Sequence, residues 1–312
     1  MYSLVIPVFK NEGSIPELLQ VCADLSDRLA GRLEVVFVVD GSPDRSAALL
    51  EEGLPACPFD SRLVLLSRNF GSFAAIRAGL AEARGPTFAV MAADLQEPPE
   101  LILSFFRALE EGDVDVTCGV RTTRDDPALS RWASGLYWFL YRKFVQPGMP
   151  PGGIDVFGCN LALRNRLLAL GESNSSLVGL LLWVGFRRRL IGYERRARRH
   201  GRSAWTVARK IRYLMDSVFA FSDLPIRLLV FAGALGLAVS VALAGIVLVA
   251  RLSGFIAVPG YAATVLVITF FAALNLFGLG IIGSYVWRAF ENTKGRPHSI
   301  VMSRTEFGKK ED

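Results

Sequence analysis

The chain has 312 residues, 52% hydrophobic and 21% charged, with a formal net charge of +6. It is too long and too apolar for one ordinary soluble domain, and the apolar excess lies at the C-terminal end. Four cysteines without a Cys-x-x-Cys pair, beside only two histidines, speak against a zinc site or a disulfide framework and point to reduced, mostly buried thiols.

Residues 1–120 alternate strand-like and helix-like patterns. Strands are predicted at Tyr2–Val8, Glu34–Val39, Arg62–Leu66, Thr87–Met91 and Asp115–Val120, and helices at Ile15–Leu29, Ser46–Gly53, Gly71–Arg84 and Pro99–Glu111. This alternation predicts a mainly parallel sheet covered by helices. An aromatic-rich helix with Trp132, Tyr137, Trp138, Phe139, Tyr141 and Phe144 is expected within 125–145, then a Pro/Gly loop at Gln146–Gly153. A strand at Asp155–Leu163, a helix at Leu177–Val184 and a strand at Arg189–Glu194 follow. Trp205–Phe221 mixes basic residues with aromatics and aliphatics, as a helix lying in a membrane interface does.

Leu228–Ala250 is 23 residues without a charge, and a second uncharged run follows Arg251 as far as Trp287. A helix needs roughly 20 apolar residues to cross a bilayer. The sequence therefore predicts a two-helix hairpin, Ile226–Ala250 and Tyr261–Trp287. Gly233, Gly236, Gly278, Gly280 and Gly283 are expected to let its helices approach closely, and Asn275 to make an interhelical hydrogen bond. Between Arg187 and Arg212 there are eleven Lys/Arg and one acidic residue, Glu194; Arg288, Lys294 and Arg296 follow the second span, and the connection carries only Arg251. The positive-inside rule puts both chain ends in the cytoplasm. No signal peptide is expected, because the chain starts directly with a strand. Positive charge clustered just before a span, Arg187, Arg188 and Arg189 above all, favours anionic lipid headgroups over nucleic acid.

Asp94 and Gln96 follow the apolar strand Thr87–Val90, at the edge where an open α/β sheet binds its ligand. A carboxylate and an amide oxygen two residues apart suit a hard divalent cation that keeps some waters and binds substrate phosphates. Asp40 ends the second strand within Asp40-Gly41-Ser42-Pro43-Asp44. Its carboxylate can accept hydrogen bonds from a base or ribose, although the same residues make good turn chemistry.

Ile6-Pro7-Val8-Phe9, Asp40-Gly41-Ser42, Ser67-Arg68-Asn69-Phe70-Gly71 and Asp94-Leu95-Gln96-Glu97-Pro98-Pro99-Glu100 occur in that order, each at a predicted strand end. The ordered set resembles the family 2 glycosyltransferases of GT-A fold, and within them the polyprenyl-phosphate glycosyltransferases. The resemblance covers nearly the whole chain, including Arg195-x-x-Arg198-x-x-Gly201-x-Ser203 and the hairpin. It implies an α/β fold: a GT-A (Rossmann-like) cytoplasmic domain at 1–204, an interfacial amphipathic segment at 205–225, two transmembrane helices within 226–287 and a cytoplasmic tail at 288–312. It also implies a metal-dependent, inverting hexosyl transfer from a UDP- or GDP-sugar to a polyprenyl (undecaprenyl) phosphate, used to modify cell-envelope glycans.

By the same resemblance, Pro7, Phe9, Glu12, Asp40 and Asp94 meet the donor nucleotide, and Asp94 and Gln96 hold Mg²⁺ or Mn²⁺. Arg121 and Arg131 hold the acceptor phosphate, while Arg195, Arg198 and Ser203 reach the donor diphosphate. Asp94 and Asp155 are the candidate catalytic carboxylates, Asp155 as a base or a sugar-hydroxyl acceptor. A base is not required, because a phosphomonoester has a second pKa near ~6 and is largely ionised at neutral pH; positioning and charge stabilisation then suffice. The chain departs from the family pattern at three places. Ala92 stands where the first aspartate of an Asp-x-Asp motif would be, Lys10 precedes Asn11-Glu12, and Arg202-Ser203-Ala204-Trp205 replaces Glu-Ser-Lys-Tyr. Membrane lipids and homo-oligomers are the further partners implied, with the tail Lys294–Val301 available to pair with a neighbour. Two other readings are a polysaccharide synthase, whose Gln-x-x-Arg-Trp motif is absent, and a non-catalytic lipid-binding scaffold, suggested only by Ala92.

Overall fold

The computed structural model describes residues 1–122, 139, 141–143, 145–150, 153–172, 175–196, 207–253 and 260–309. Strands β1 (Tyr2–Val8), β2 (Leu33–Val39), β3 (Asp60–Leu66), β4 (Thr87–Val90), β5 (Val116–Arg121), β6 (Phe157–Asn160), β7 (Arg188–Tyr193) and β8 (Val301–Phe307) form one sheet. Their spatial order is β7-β5-β6-β4-β1-β2-β3-β8. The central strands β4, β1, β2 and β3 run parallel. They read as almost continuous apolar runs because both of their faces are covered. Alternate residues feed opposite core layers, as the period of a strand requires. Val5, Val36, Val38, Val64 and Val90 face one layer, and Leu4, Ile6, Val35, Phe37 and Leu63 the other.

Helices α1 (Ile15–Arg28), α2 (Ser46–Gly53), α3 (Ser72–Glu82) and α4 (Pro99–Glu110) connect these strands. On α1 the buried stripe is Ile15, Leu18, Cys22 and Leu25, spaced for one helical face. On α4 it is Leu101, Ile102, Phe105, Phe106 and Leu109. Pro7 sits inside β1 without cost to the ladder. Pairing with β4 stops at Val5–Val90, so β4 has already turned away where the missing N–H would point.

The sheet is mainly parallel, as expected, with β6 and β8 antiparallel to their neighbours. Two expectations are corrected here. The strand expected at Asp155–Leu163 is only Phe157–Asn160; Asn160 then caps helix α5 (Leu161–Ala169), its side chain accepting from the Leu163 N–H at 3.0 Å. Arg187 and Arg189 are not spare membrane-surface charges. Arg187 bonds both oxygens of Asp115 at 2.9 and 3.0 Å, and Arg189 reaches Glu111 and Asp113 at 2.6 Å each.

Helix α6 (Leu177–Trp183) packs its apolar face into the core. Of the aromatic-rich helix expected within 125–145, Phe139 and residues 141–143 are described and helical; Trp132, Tyr137, Trp138 and Phe144 lie outside the described residues. Helix α7 spans Val207–Phe221. All four cysteines are free and buried, and burial pushes the Cys118 and Cys159 thiols up to about 12.

Helices α8 (Leu224–Leu252) and α9 (Tyr261–Thr293) are long and apolar enough to cross a membrane. They meet through Gly236, whose added Cβ would lie 3.0 Å from Phe271, and Gly278, whose added Cβ would lie 2.9 Å from Leu229. Gly233, Gly280 and Gly283 have open space beside them and do not serve that approach. Asn275 donates to the Phe271 carbonyl of its own helix at 2.9 Å, so its amide closes a turn rather than bridging the hairpin. The chain then returns to the sheet, and β8 covers the outer edge of β3.

Candidate active site

The topology gathers the candidate residues at one edge. β1, β2, β3 and β4 all end there, so the loops after Val8, Val39, Leu66 and Val90 share it. β6 is antiparallel to β4, which brings its entry residue Asp155 to the same edge. β5 is antiparallel to β6 and β7 parallel to β5, so Arg121 ends one strand there and Arg195 follows the other.

At the β1–β3 end, Asp40 is buried and its carboxylate is held by backbone. Oδ1 accepts from the Phe70 N–H at 2.7 Å and Oδ2 from the Gly71 N–H at 2.8 Å. These bonds tie the loop after β3 to the end of β2. Gly41 has φ +57°, and an added Cβ would come within 2.3 Å of the Arg68 carbonyl carbon, so only glycine lets the two loops meet. Pro7 and Phe9 are half-buried at the same place. The Lys10 ammonium lies 5.5 Å from the Phe9 ring centre, and the Arg68 guanidinium 4.1 Å from that of Phe70. Glu12 faces the next loop, its Oε2 accepting from the Arg45 N–H at 3.0 Å.

The turn after β4 carries Asp94 and Gln96. Leu95 takes a left-handed φ of 55°, which turns the chain sharply between them. Asp94 Oδ1 accepts from the Gln96 N–H at 3.4 Å. Ser14 donates to the Ala93 carbonyl at 2.8 Å and ties the turn to the loop after β1. Gln96 is zipped to the strand-end segment after β7: the Arg196 N–H donates to its carbonyl at 2.9 Å, its amide donates to the Arg196 carbonyl at 3.2 Å, and Arg195 donates to its Oε1. Among the described residues the buried Nε of Arg195 has no hydrogen-bond partner.

Beside this turn, Arg121 grips Asp155 through both carboxylate oxygens, with Nη2 to Oδ1 at 2.7 Å. Tyr193 donates to Asp155 Oδ2 at 2.8 Å. Burial and the charges of Asp155 and Glu97 push the Tyr193 hydroxyl well above its ordinary pKa, which keeps it a donor. Arg131, Arg198 and Ser203 lie outside the described residues.

Sequence reasoning passed over Tyr193 and Glu97. The carboxylate of Glu97 is buried and accepts from the Ala92 N–H at 3.3 Å. Burial pushes its pKa up to about 7, helped by the negative charge of Asp94 and opposed by Arg195. The available signal was a glutamate directly before Pro98-Pro99, read as part of a loop.

These residues set carboxylates and arginines side by side at one sheet edge. Mg²⁺ and Mn²⁺ are commonly held by one or two protein oxygens plus substrate phosphates. Asp94 fits that pattern, and the Gln96 amide oxygen joins it with the lone pair that Arg195 does not use. They do not fit an all-protein metal cage, since among the described residues no group of three or more His, Cys, Asp or Glu is arranged to hold a metal.

The profile of glycosyl transferase family 2 matches residues 3–170. The chain belongs to that family. Among curated relatives, this glycosyltransferase is 31% identical over 302 residues to the uncharacterized glycosyltransferase YkcC of Bacillus subtilis (strain 168), covering 96% of this chain and 93% of that one. It is 32% identical over 310 residues to the undecaprenyl-phosphate 4-deoxy-4-formamido-L-arabinose transferase of Pseudomonas aeruginosa (strain LESB58), covering 96% and 89%. Among solved structures, the mannosyltransferase PcManGT from Pyrobaculum calidifontis, in complex with GDP-Man and Mn²⁺, aligns with TM-score 0.50 at 18% identity over 93% of this chain and 84% of that one. At that identity the likeness shows the fold.

Proposed function

We propose that this glycosyltransferase moves a sugar from a UDP- or GDP-sugar to a polyprenyl phosphate, working from the cytoplasmic face of a membrane that α8 and α9 cross. The observation that carries the reading is the juxtaposition, on one sheet edge, of the Asp94–Gln96–Arg195 turn with the Arg121–Asp155 pair. A relative that covers nearly the whole chain, hairpin included, and is named for undecaprenyl phosphate supports the acceptor class.

In this reading the acceptor phosphate oxygen attacks the anomeric carbon in line, the bond from that carbon to the donor diphosphate breaks, and the configuration inverts. Asp94 and the Gln96 amide oxygen are the residues that would hold Mg²⁺ or Mn²⁺, which stabilises the charge gathered by the leaving diphosphate. Arg195 adds a fixed cation at the same end, its unpartnered Nε turned to use by a phosphate oxygen. Arg121 is oriented by Asp155, whose bond to Tyr193 holds the pair in place, and its second amino group serves the acceptor phosphate. The loop held by Asp40, with Pro7 and Phe9, receives the nucleoside. Asp155 acts by aligning Arg121 rather than by taking a proton.

The test is transfer by the purified full-length protein in detergent, given undecaprenyl phosphate, Mg²⁺ or Mn²⁺, and a panel of labelled UDP- and GDP-sugars. Lipid-linked, mild-acid-labile label from one donor, lost on chelation, is the expected result. Nucleotide binding without lipid-linked label from any donor would contradict it.

A further inference from the structure

A strand at the edge of a sheet presents unpaired backbone groups that need partners. Without the tail, β3 would be such an edge. Residues 294–300 lead from the end of α9 back to the sheet, and β8 then pairs antiparallel along β3. The register shifts where that pairing nears the site. Leu65 faces Ser303 while Leu66 faces Val301, so Met302 is the extra residue. A bulge of this kind bends its strand and re-aims the groups beside it. Just before it in the chain, the Ile300 carbonyl accepts the Ser67 N–H at 2.9 Å. Val301 packs against the core cluster that holds Leu66 and that Phe70 and Phe73 also cover.

Ser67 opens the loop that runs to Gly71. Ser67, Arg68 and Asn69 are exposed, so this loop has little packing of its own and depends on ties at its ends. One end is tied to β2. The Phe70 and Gly71 N–H groups donate to the Asp40 carboxylate at 2.7 and 2.8 Å, and the Asn69 amide donates to the Asp40 carbonyl at 3.2 Å. The other end is tied to the tail, through the Ser67 N–H.

We infer that the start of β8 is a positioning element of the donor site. Val301 seats the tail on the core, the Ile300 carbonyl holds Ser67, and the Ser67–Gly71 loop is thereby clamped from both ends where it receives the nucleoside. The inference rests on the donor reading above. It separates the start of β8 from the rest of the strand, since Arg304 and Glu306 lie opposite Val64 and Arg62, further back from the loop. It also joins donor binding to the hairpin, because the same tail begins at the end of α9.

The experiment is a mutant cycle on the full-length protein in detergent, reading donor and acceptor KM, UDP and GDP affinity, and backbone hydrogen exchange at 67–71. Val301→Asn sets a polar group against the core. It is expected to stay folded, to speed exchange at Phe70 and Gly71, and to raise donor KM about 5-fold, as a loop formed in only a fraction of molecules does. Acceptor KM stays within about 2-fold, which a general loss of structure would not produce. Ser67→Pro deletes the N–H itself, and Leu66, being in a strand, tolerates a following proline. It is expected to give the same donor-selective loss, and the double variant to fall within about 2-fold of the worse single one, because both remove one tie. Unchanged donor KM in Ser67→Pro, equal rises in both KM values, or losses that multiply in the double variant would overturn the inference and leave the donor reading standing. Wild-type protein that binds neither UDP nor GDP would overturn both. Should Val301→Asn fail to fold, Ser67→Pro carries the test alone by the same criteria.

Discussion

At Asp40 the site is held by backbone: two main-chain N–H groups donate to the carboxylate, and a glycine at φ +57° lets the loops after β2 and β3 touch. At the other end, around Asp94, Glu97, Asp155, Arg121 and Arg195, the contacts are between charged side chains. The first arrangement makes a fixed wall, suited to a flat, neutral group such as a base. The second balances carboxylates against arginines, and such a balance can be re-formed when phosphates enter. The contrast teaches that similar residue types do different work according to what satisfies them. Asp40 ties two loops together through backbone N–H groups, while Asp94 sits on a turn that Gln96 ties to the segment after β7.

The largest effect should come from breaking the charged end. Asp94→Ala is expected to lower transfer by about 1,000-fold, the order seen when a main charge-stabilising group is lost, with folding unchanged by circular dichroism; wild-type turnover in the Mn²⁺ assay would remove Asp94 from the site. A smaller loss tests the backbone-built end. Gly41→Ala should destabilise the domain by about 2 kcal/mol, since a Cβ at positive φ meets the Arg68 backbone. Thermal unfolding measures it, and an unshifted midpoint would mean that the two loops are not tightly joined.

The sequence made the wall more legible than the charge balance. The strand-end motifs around Pro7, Asp40 and Asn69-Phe70-Gly71 are local, and the apolar runs that place them are period-2 strands with both faces covered. The partners of Asp155 were not legible, because Arg121 and Tyr193 lie 34 and 38 residues away along the chain and only the antiparallel insertion of β6 brings them together. Strand β8 was missed for a related reason. Met302, Arg304 and Glu306 are all exposed and little of its other face is buried, so no alternation of apolar residues announces it. It is selected by the open edge of β3 and by ion pairs such as Arg304 with Glu82 at 2.7 Å. Because Arg304 is itself largely exposed, Arg304→Ala should cost no more than about 0.5 kcal/mol and leave transfer unchanged; a large loss of activity would show that the far part of the tail governs the site as well.

Two-substrate steady-state kinetics on Asp40→Asn and Arg121→Lys test most directly the claim that one sheet edge carries a nucleoside end and an acceptor end. The asparagine places a donor against two backbone donors, and is expected to raise donor KM about 10-fold while leaving acceptor KM within about 2-fold. The lysine cannot grip Asp155 in a bidentate way, and is expected to raise acceptor KM about 10-fold with donor KM unmoved. Both variants shifting the same KM, or Arg121→Lys shifting only the donor's, would contradict the two-ended site.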